Sequence, residues 1–234
     1  MDDALAQLEE FVESTRAVVH EIAVTTTAAL ATTPQPRRAD LVEIEPLIAR
    51  ILGEREETVH GGGFVAAPGL LEDAPWWLEW FAWDAGAVQR LVSETDPSGA
   101  TFFDYTYMPW YSGPRDRTPA RALTGPYVDY LCTDDYTLTV TEAVRRQDGS
   151  FAGVAGVDVR IFAVEERLLV TLRDSGRVLV LVNELGRVTV SATAQLLSGD
   201  LVEDLDIPAM FEAGDERLTR IAGSELGLLD LGPR

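Results

Sequence analysis

The chain has one cysteine, two histidines and half as many basic as acidic residues, 19 against 39, for a formal charge of −20. A lone Cys132 forms no internal disulfide, which agrees with a reducing compartment; in an apolar strand-and-turn segment it reads as packing rather than as a reactive thiol. His20 and His60 are far apart, so no zinc-type cluster stands at ligand spacing, and no EF-hand loop occurs. The carboxylates read as solvated surface, with no metal and no cofactor implied. Strong negative charge makes nucleic acid and anionic membrane poor partners and favours cations. No apolar run approaches the roughly 20 residues that cross a bilayer, and the opening residues, with Asp2, Asp3, Glu9 and Glu10, lack the basic start of an export signal. On these grounds the chain reads as cytoplasmic. It also lacks a Gly-x-Ser-x-Gly elbow and any histidine after His60. That excludes the esterase chemistry which His60-Gly61-Gly62-Gly63, an oxyanion-hole motif elsewhere, would otherwise suggest.

What is present suffices for a core: 234 residues, 46% of them hydrophobic. From Asp2 to about Ala31, Leu5, Leu8, Val12, Val19 and Ile22 fall at helical steps without Gly or Pro, predicting a long amphipathic helix. The same steps fit a dimer seam and, more plainly, packing on the protein's own sheet. Pro34 and Pro36 end this helix, and a shorter one is expected over 41–52, with Pro46 as its awkward member. Residues 59–71 and 75–84 predict two paired strands. There "HGGG" becomes a stretch where missing side chains admit another backbone or the tryptophans, and Trp76, Trp77, Trp80 and Trp83 form core or one wall of a pocket. Asp84 is placed to cap a helix over 85–94. Residues 136–144 and 151–162 predict a hairpin, 163–173 a helix, and "RVLVLVN" with "RVTVSAT" a second hairpin. The rest, from 199, reads as a helical tail. The economical architecture is α+β, a mainly antiparallel sheet against a long N-terminal helix.

The succession "MPWYSGP", "GPYVDY", "YTLTVTEAV", "GVAGVDV" and "VLVNELGRVTVSA" resembles the ligand-binding module of Cache domains, PAS-like sensors of bacterial chemoreceptors and kinases. The likeness covers roughly 2–195. Its most specific parts are Trp110-Tyr111, Tyr127-x-Asp129 and Gly153-x-x-Gly156-x-Asp158. It implies a domain over 1–198 followed by the tail, 199–234. In amino-acid-binding members of the family, an aromatic and an arginine precede the Trp-Tyr pair, and the arginine holds the ligand's carboxylate. Here those positions look like Phe103 and Met108. The residues that receive an amino group are matched by Trp110, Tyr111, Tyr127, Asp129 and Asp158.

The resemblance therefore implies a non-catalytic sensor whose ligand is a small cationic amine, free in the cytoplasm or serving a separate output partner, with a homodimer through the N-terminal helix as a further expectation. Two alternatives stand beside it. One is an enzyme using Asp129, Asp134, Asp135 and Asp158 as acid and base. The other is an interaction scaffold in which the aromatics are merely core.

Overall fold

A computed structural model of the protein describes residues 1–84, 86–128, 136–222 and 224–233. The chain divides into two compact units, one of residues 15–122 and 139–159, the other of residues 1–14, 123–138 and 160–234.

Helix α1, Asp2–Leu30, begins with Asp2 and Asp3 in its first turn, where carboxylates complement the positive end of the helix dipole. Leu8, Val12, Val19 and Ile22 are all buried within the chain. The seam that suggested a homodimer contact is thus occupied by the protein's own core, and a dimer through those side chains is not available. Helix α2, Ile44–Glu54, buries Ile44, Ile48, Ile51 and Leu52. Pro46 sits in its first turn, where a missing N–H removes no intrahelical bond, so the proline is tolerated.

Strands β1 (Val59–Ala66) and β2 (Leu78–Asp84) pair antiparallel, Gly61 opposite Ala82 and Gly63 opposite Trp80. The expected helix after Asp84 is a strand instead, β3 (Ala87–Arg90), paired with β2 through Trp83 and Val88. Gly86, at φ +86°, supplies the left-handed turn, and the open backbone edge of β2 outweighs the local helical pattern. Helix α3 (Pro109–Asp116) follows, then β4 (Arg121–Val128), β5 (Tyr136–Arg145) and β6 (Phe151–Arg160). The six strands lie in the order β3-β2-β1-β6-β5-β4.

Helix α4 (Ile161–Asp174) leads to β7 (Arg177–Asn183), β8 (Val188–Ser191), α5 (Ile207–Ala213), β9 (Leu218–Arg220) and β10 (Leu226–Pro233). These strands form a second antiparallel sheet, β8-β7-β10-β9. Leu179 to Val182 are buried without alternation, so both faces of β7 are covered. Val180, Val182, Val188, Ile207, Met210, Leu218 and Leu229 make one cluster on it. The expected helical tail from 199 is therefore corrected. It holds one short helix and two strands, and β10 is the inner partner of β7 along Leu226–Asp230. The "LGLLDLG" stretch is strand because it completes a sheet whose other members lie earlier in the chain.

The reading of "HGGG" as a place of close approach is sound: a Cβ on Gly63 would stand 2.0 Å from the Glu79 carbonyl oxygen. Gly63→Ala is expected to destabilise the protein by about 2–3 kcal/mol in urea denaturation, since the obstruction is backbone and cannot move aside. Gly53→Ala, in α2 with nothing within 4 Å of the added methyl, is the matched control and should be neutral or stabilising.

Candidate ligand-binding site

One face of the first sheet is stripped of side chains along its middle. Gly61 and Gly63 on β1 and Gly156 on β6 point to that face, with Asp158 opposite Gly61 and Trp80 opposite Gly63. The Trp80 indole lies across this trough. Its Nε1 would be 3.2 Å from a Cβ on Gly61 and its Cη2 would be 3.2 Å from a Cβ on Gly156. The Asp158 carboxylate borders the same point, its Oδ2 being 3.4 Å from that Gly61 position. Threonines on alternate positions of β5 complete the face. Thr139 Oγ1 donates to Asp158 Oδ1 at 2.6 Å, and Thr141 Oγ1 donates to the Trp110 carbonyl at 2.7 Å, fixing the first turn of α3 there. Asp158 is 5% exposed. A carboxylate in that position needs hydrogen bonds or positive charge, and Thr139 is one of its partners.

The predicted site residues divide among several places. Trp110 and Asp158 are tied to neighbouring β5 threonines, as above. Tyr111 is 1% exposed and packs edge-on against Phe151 at 5.5 Å and tilted against Tyr105 at 5.2 Å. Trp76 extends this cluster to Tyr105 and Phe102, and Tyr105 donates its hydroxyl to the Ala66 carbonyl at 2.8 Å. Burial pushes the phenols of Tyr105 and Tyr111 far above their ordinary range, so both stay protonated. Phe103 and Met108 are half-buried on either side of a short 3-10 turn, Tyr105–Tyr107. Tyr127, also half-buried, lies on β4 in the other unit. Asp129 falls outside the described residues, as do Cys132, Asp134 and Asp135, so of the four carboxylates offered for acid–base chemistry only Asp158 is described.

Sequence reasoning missed Trp80, Thr139, Thr141 and the glycine trough as parts of one face. The signal was there as a period of two: glycine at 61 and 63, threonine at 137, 139 and 141. What the period did not reveal was which strands lie side by side.

The four clustered tryptophans serve different ends. Trp77 has the Arg38 and Arg90 guanidinium carbons 5.0 and 4.7 Å from its ring centroid and donates Nε1 to Glu79 Oε2 at 2.5 Å. Trp83 Nε1 reaches the Leu52 carbonyl at 3.4 Å. The second unit has a concavity of its own, about 770 Å³, bordered by Leu205, Glu216, Arg217 and Asp230 among others. Its two guanidiniums are already engaged, Arg177 with Asp230 and Arg217 with Asp215.

No protein-family model matches the chain, and no curated protein matches it by sequence. Solved structures do. The extracellular domain assigned to a histidine kinase matches with a TM-score of 0.67 at 17% identity, over 100% of this chain and 95% of that one. The fold is that of a Cache-like sensor domain. The ligand-binding domain of the Pseudomonas fluorescens chemoreceptor CtaA, in complex with L-valine, matches with a TM-score of 0.60 at 18% identity, over 99% and 92% of the two chains. That of the Campylobacter jejuni chemoreceptor Tlp3, in complex with L-norvaline, matches with a TM-score of 0.61 at 12% identity, over 99% and 87%.

These relatives overturn the cytoplasmic reading, because Cache-like domains of this architecture include extracellular domains of sensor kinases. That reading rested on a single cysteine, an acidic start and the want of an apolar run long enough to cross a bilayer. None of these excludes export, and a domain with a well-filled core needs no disulfide.

Glu79 carries a pH dependence. Burial raises its pKa, against the opposing hydrogen bond from Trp77 and the charge of Arg90. The folded state therefore favours the protonated acid; this contribution to stability is complete below the ordinary glutamate range and is lost as pH rises through the raised value. Glu79→Gln, which keeps an acceptor for the indole, should melt close to wild type at pH 4 and above it at pH 7 in a thermal scan.

Proposed function

We propose that this chain is the sensing module of a receptor whose ligand meets it outside the cytoplasm, that it is not catalytic, and that it binds a small cationic amine on the glycine-lined face of the first sheet. The observation that carries this reading is the Asp158 carboxylate, buried in the sheet beside the Trp80 indole, with Thr139 as one of its hydrogen-bond partners. A ligand ammonium leaving water needs such a partner. Trp80, on the same face, adds aromatic surface, and a cation over an indole gains about 0.5–2 kcal/mol.

An α-amino acid needs its carboxylate matched as well. Met108, at the position where the Cache resemblance implies an arginine, offers neither charge nor donor. Arg115 does not replace it: its guanidinium makes a bidentate pair with the adjacent Asp116, both bonds at 2.7 Å. The CtaA and Tlp3 domains, solved with L-valine and L-norvaline, support a small polar ligand in general. Met108 and Arg115 turn the choice towards an amine without the carboxylate.

Calorimetry with primary alkylamines, diamines and choline, alongside L-valine and L-norvaline, tests the reading. Amine binding is expected, weakened by about 10-fold or more in Asp158→Asn, where an uncharged amide replaces the carboxylate. Tight binding of an α-amino acid with no response to any amine would overturn it. So would amine binding indifferent to the substitution.

A further inference from the structure

The concavity of about 770 Å³ in the second unit has no part in the amine reading. Its volume falls in the range of sites that enclose small organic ligands, about 300–1,000 Å³. Both of its walls are fixed by the backbone. One is the segment between β8 and α5, which folds back on the β7–β8 hairpin: the Val188 amide donates to the Asp200 carbonyl and the Gly199 amide to the Val188 carbonyl, both at 2.8 Å, and the Val202 amide to the Gly186 carbonyl at 3.0 Å. The other is the turn into β9, tied to β10 where the Asp230 amide donates to the Arg217 carbonyl at 2.8 Å.

Two kinds of side chain line this hollow. Leu196, Val202 and Leu205 are half-buried and pack against the core cluster of the second sheet, so they leave apolar surface towards the opening. Glu203 and Asp204 on one wall and Glu216 on the other are exposed carboxylates, and none has an ion pair or a side-chain hydrogen bond among the described residues. The positive charges present do not neutralise them. Arg177 donates Nε to Asp230, and Arg217 is held by Asp215 through two bonds, at 3.1 and 2.9 Å. An anion is therefore repelled, and a single ammonium leaves the acids of one wall unmatched. Charge on both walls with apolar surface in the same hollow is complementary to a chain of methylenes that carries a cation at each end.

We propose that this hollow is a second binding site, separate from the glycine-lined face, and that it takes a linear diamine or polyamine. One ammonium goes to Glu216 and another to Glu203 and Asp204, while the methylenes cover Leu196, Val202 and Leu205.

Methyl NMR of the whole chain tests the proposal, because the leucine and valine methyls report on the hollow itself. Spermidine and 1,8-diaminooctane are titrated against n-butylamine. Saturable shifts are expected at Leu196, Val202 and Leu205, with the diamine tighter than the monoamine by about 10-fold or more, the worth of one further charged hydrogen bond. The triple variant Glu203→Gln, Asp204→Asn, Glu216→Gln changes exposed side chains only and should weaken the diamine by about 10-fold or more. Glu9→Gln, Glu43→Gln, Glu57→Gln removes the same charge elsewhere and should weaken it by less than about 2-fold, as long-range attraction is screened by salt. Equal losses in the two triple variants would assign the binding to overall charge and overturn the site. So would diamine shifts that miss these methyls, or a diamine no tighter than n-butylamine. The amine reading of the first sheet is decided separately, by Asp158→Asn, so either can fail without the other.

Discussion

Strand β1 is held so close to its neighbour that a side chain on Gly63 would collide with the Glu79 carbonyl, and the polar chemistry buried on this face of the first sheet depends on that approach. Glycine weakens a strand by its entropy and by the contacts it forgoes, roughly 0.5–1 kcal/mol at each position. A run of three in the middle of a sheet is therefore costly unless something large fills the place vacated. On the face shared by Gly61, Gly63 and Gly156 it is filled by the Trp80 indole, while Gly62, on the opposite face, makes way for Val157 and Ile48. Burial of so large a ring returns more than the glycines lose. At one end of the ring Gly61 brings the backbone of β1 close to the indole N–H and to Asp158.

Polar groups on this face are arranged so that each holds another in position. Thr139 orients one oxygen of Asp158, and Thr141 anchors the start of α3 through the Trp110 carbonyl. The aromatic cluster of Trp76, Phe102, Tyr105, Tyr111 and Phe151 binds the segment before α3 to the ends of β1 and β6. Tyr111 thus belongs to packing by its contacts, while its neighbour Trp110 is tied by its carbonyl to Thr141. Trp110 and Tyr111 also meet each other edge to face, ring centroids 6.1 Å apart, so the cluster reaches the start of α3. The unit that closes the chain follows a plainer logic, with β7 apolar on both faces and β10, from the far end of the chain, completing its sheet.

Long-period and short-period patterns were legible at the outset because they are local. The apolar steps of α1, the hairpin of β5 and β6, helix α4, and the glycine run as a place of close approach all follow from residues within a few positions of one another. So did the family likeness, carried by Trp110, Tyr111, Gly156 and Asp158, and the exclusion of esterase chemistry, which needs only an inventory of histidines and serines.

Partnership between distant segments was decided by the tertiary structure alone. Residues 87–90 are strand because β2 offers an open edge, and residues 226–233 are strand because β7 lacks a neighbour on that side. Neither fact is present in the local sequence, since a backbone edge recruits by hydrogen bonds that carry no side-chain signature. The seam of α1 could face a second copy or the protein's own core with the same spacing, and only the burial of Leu8, Val12, Val19 and Ile22 distinguishes the two. By itself the sequence determined which residues are apolar, acidic or absent, and hence the class of fold and the excluded chemistries. The meeting of Trp80, Gly61, Thr139 and Asp158 was decided by strand order, because convergence of side chains from four strands is a property of pairing and register, which no single stretch of chain contains.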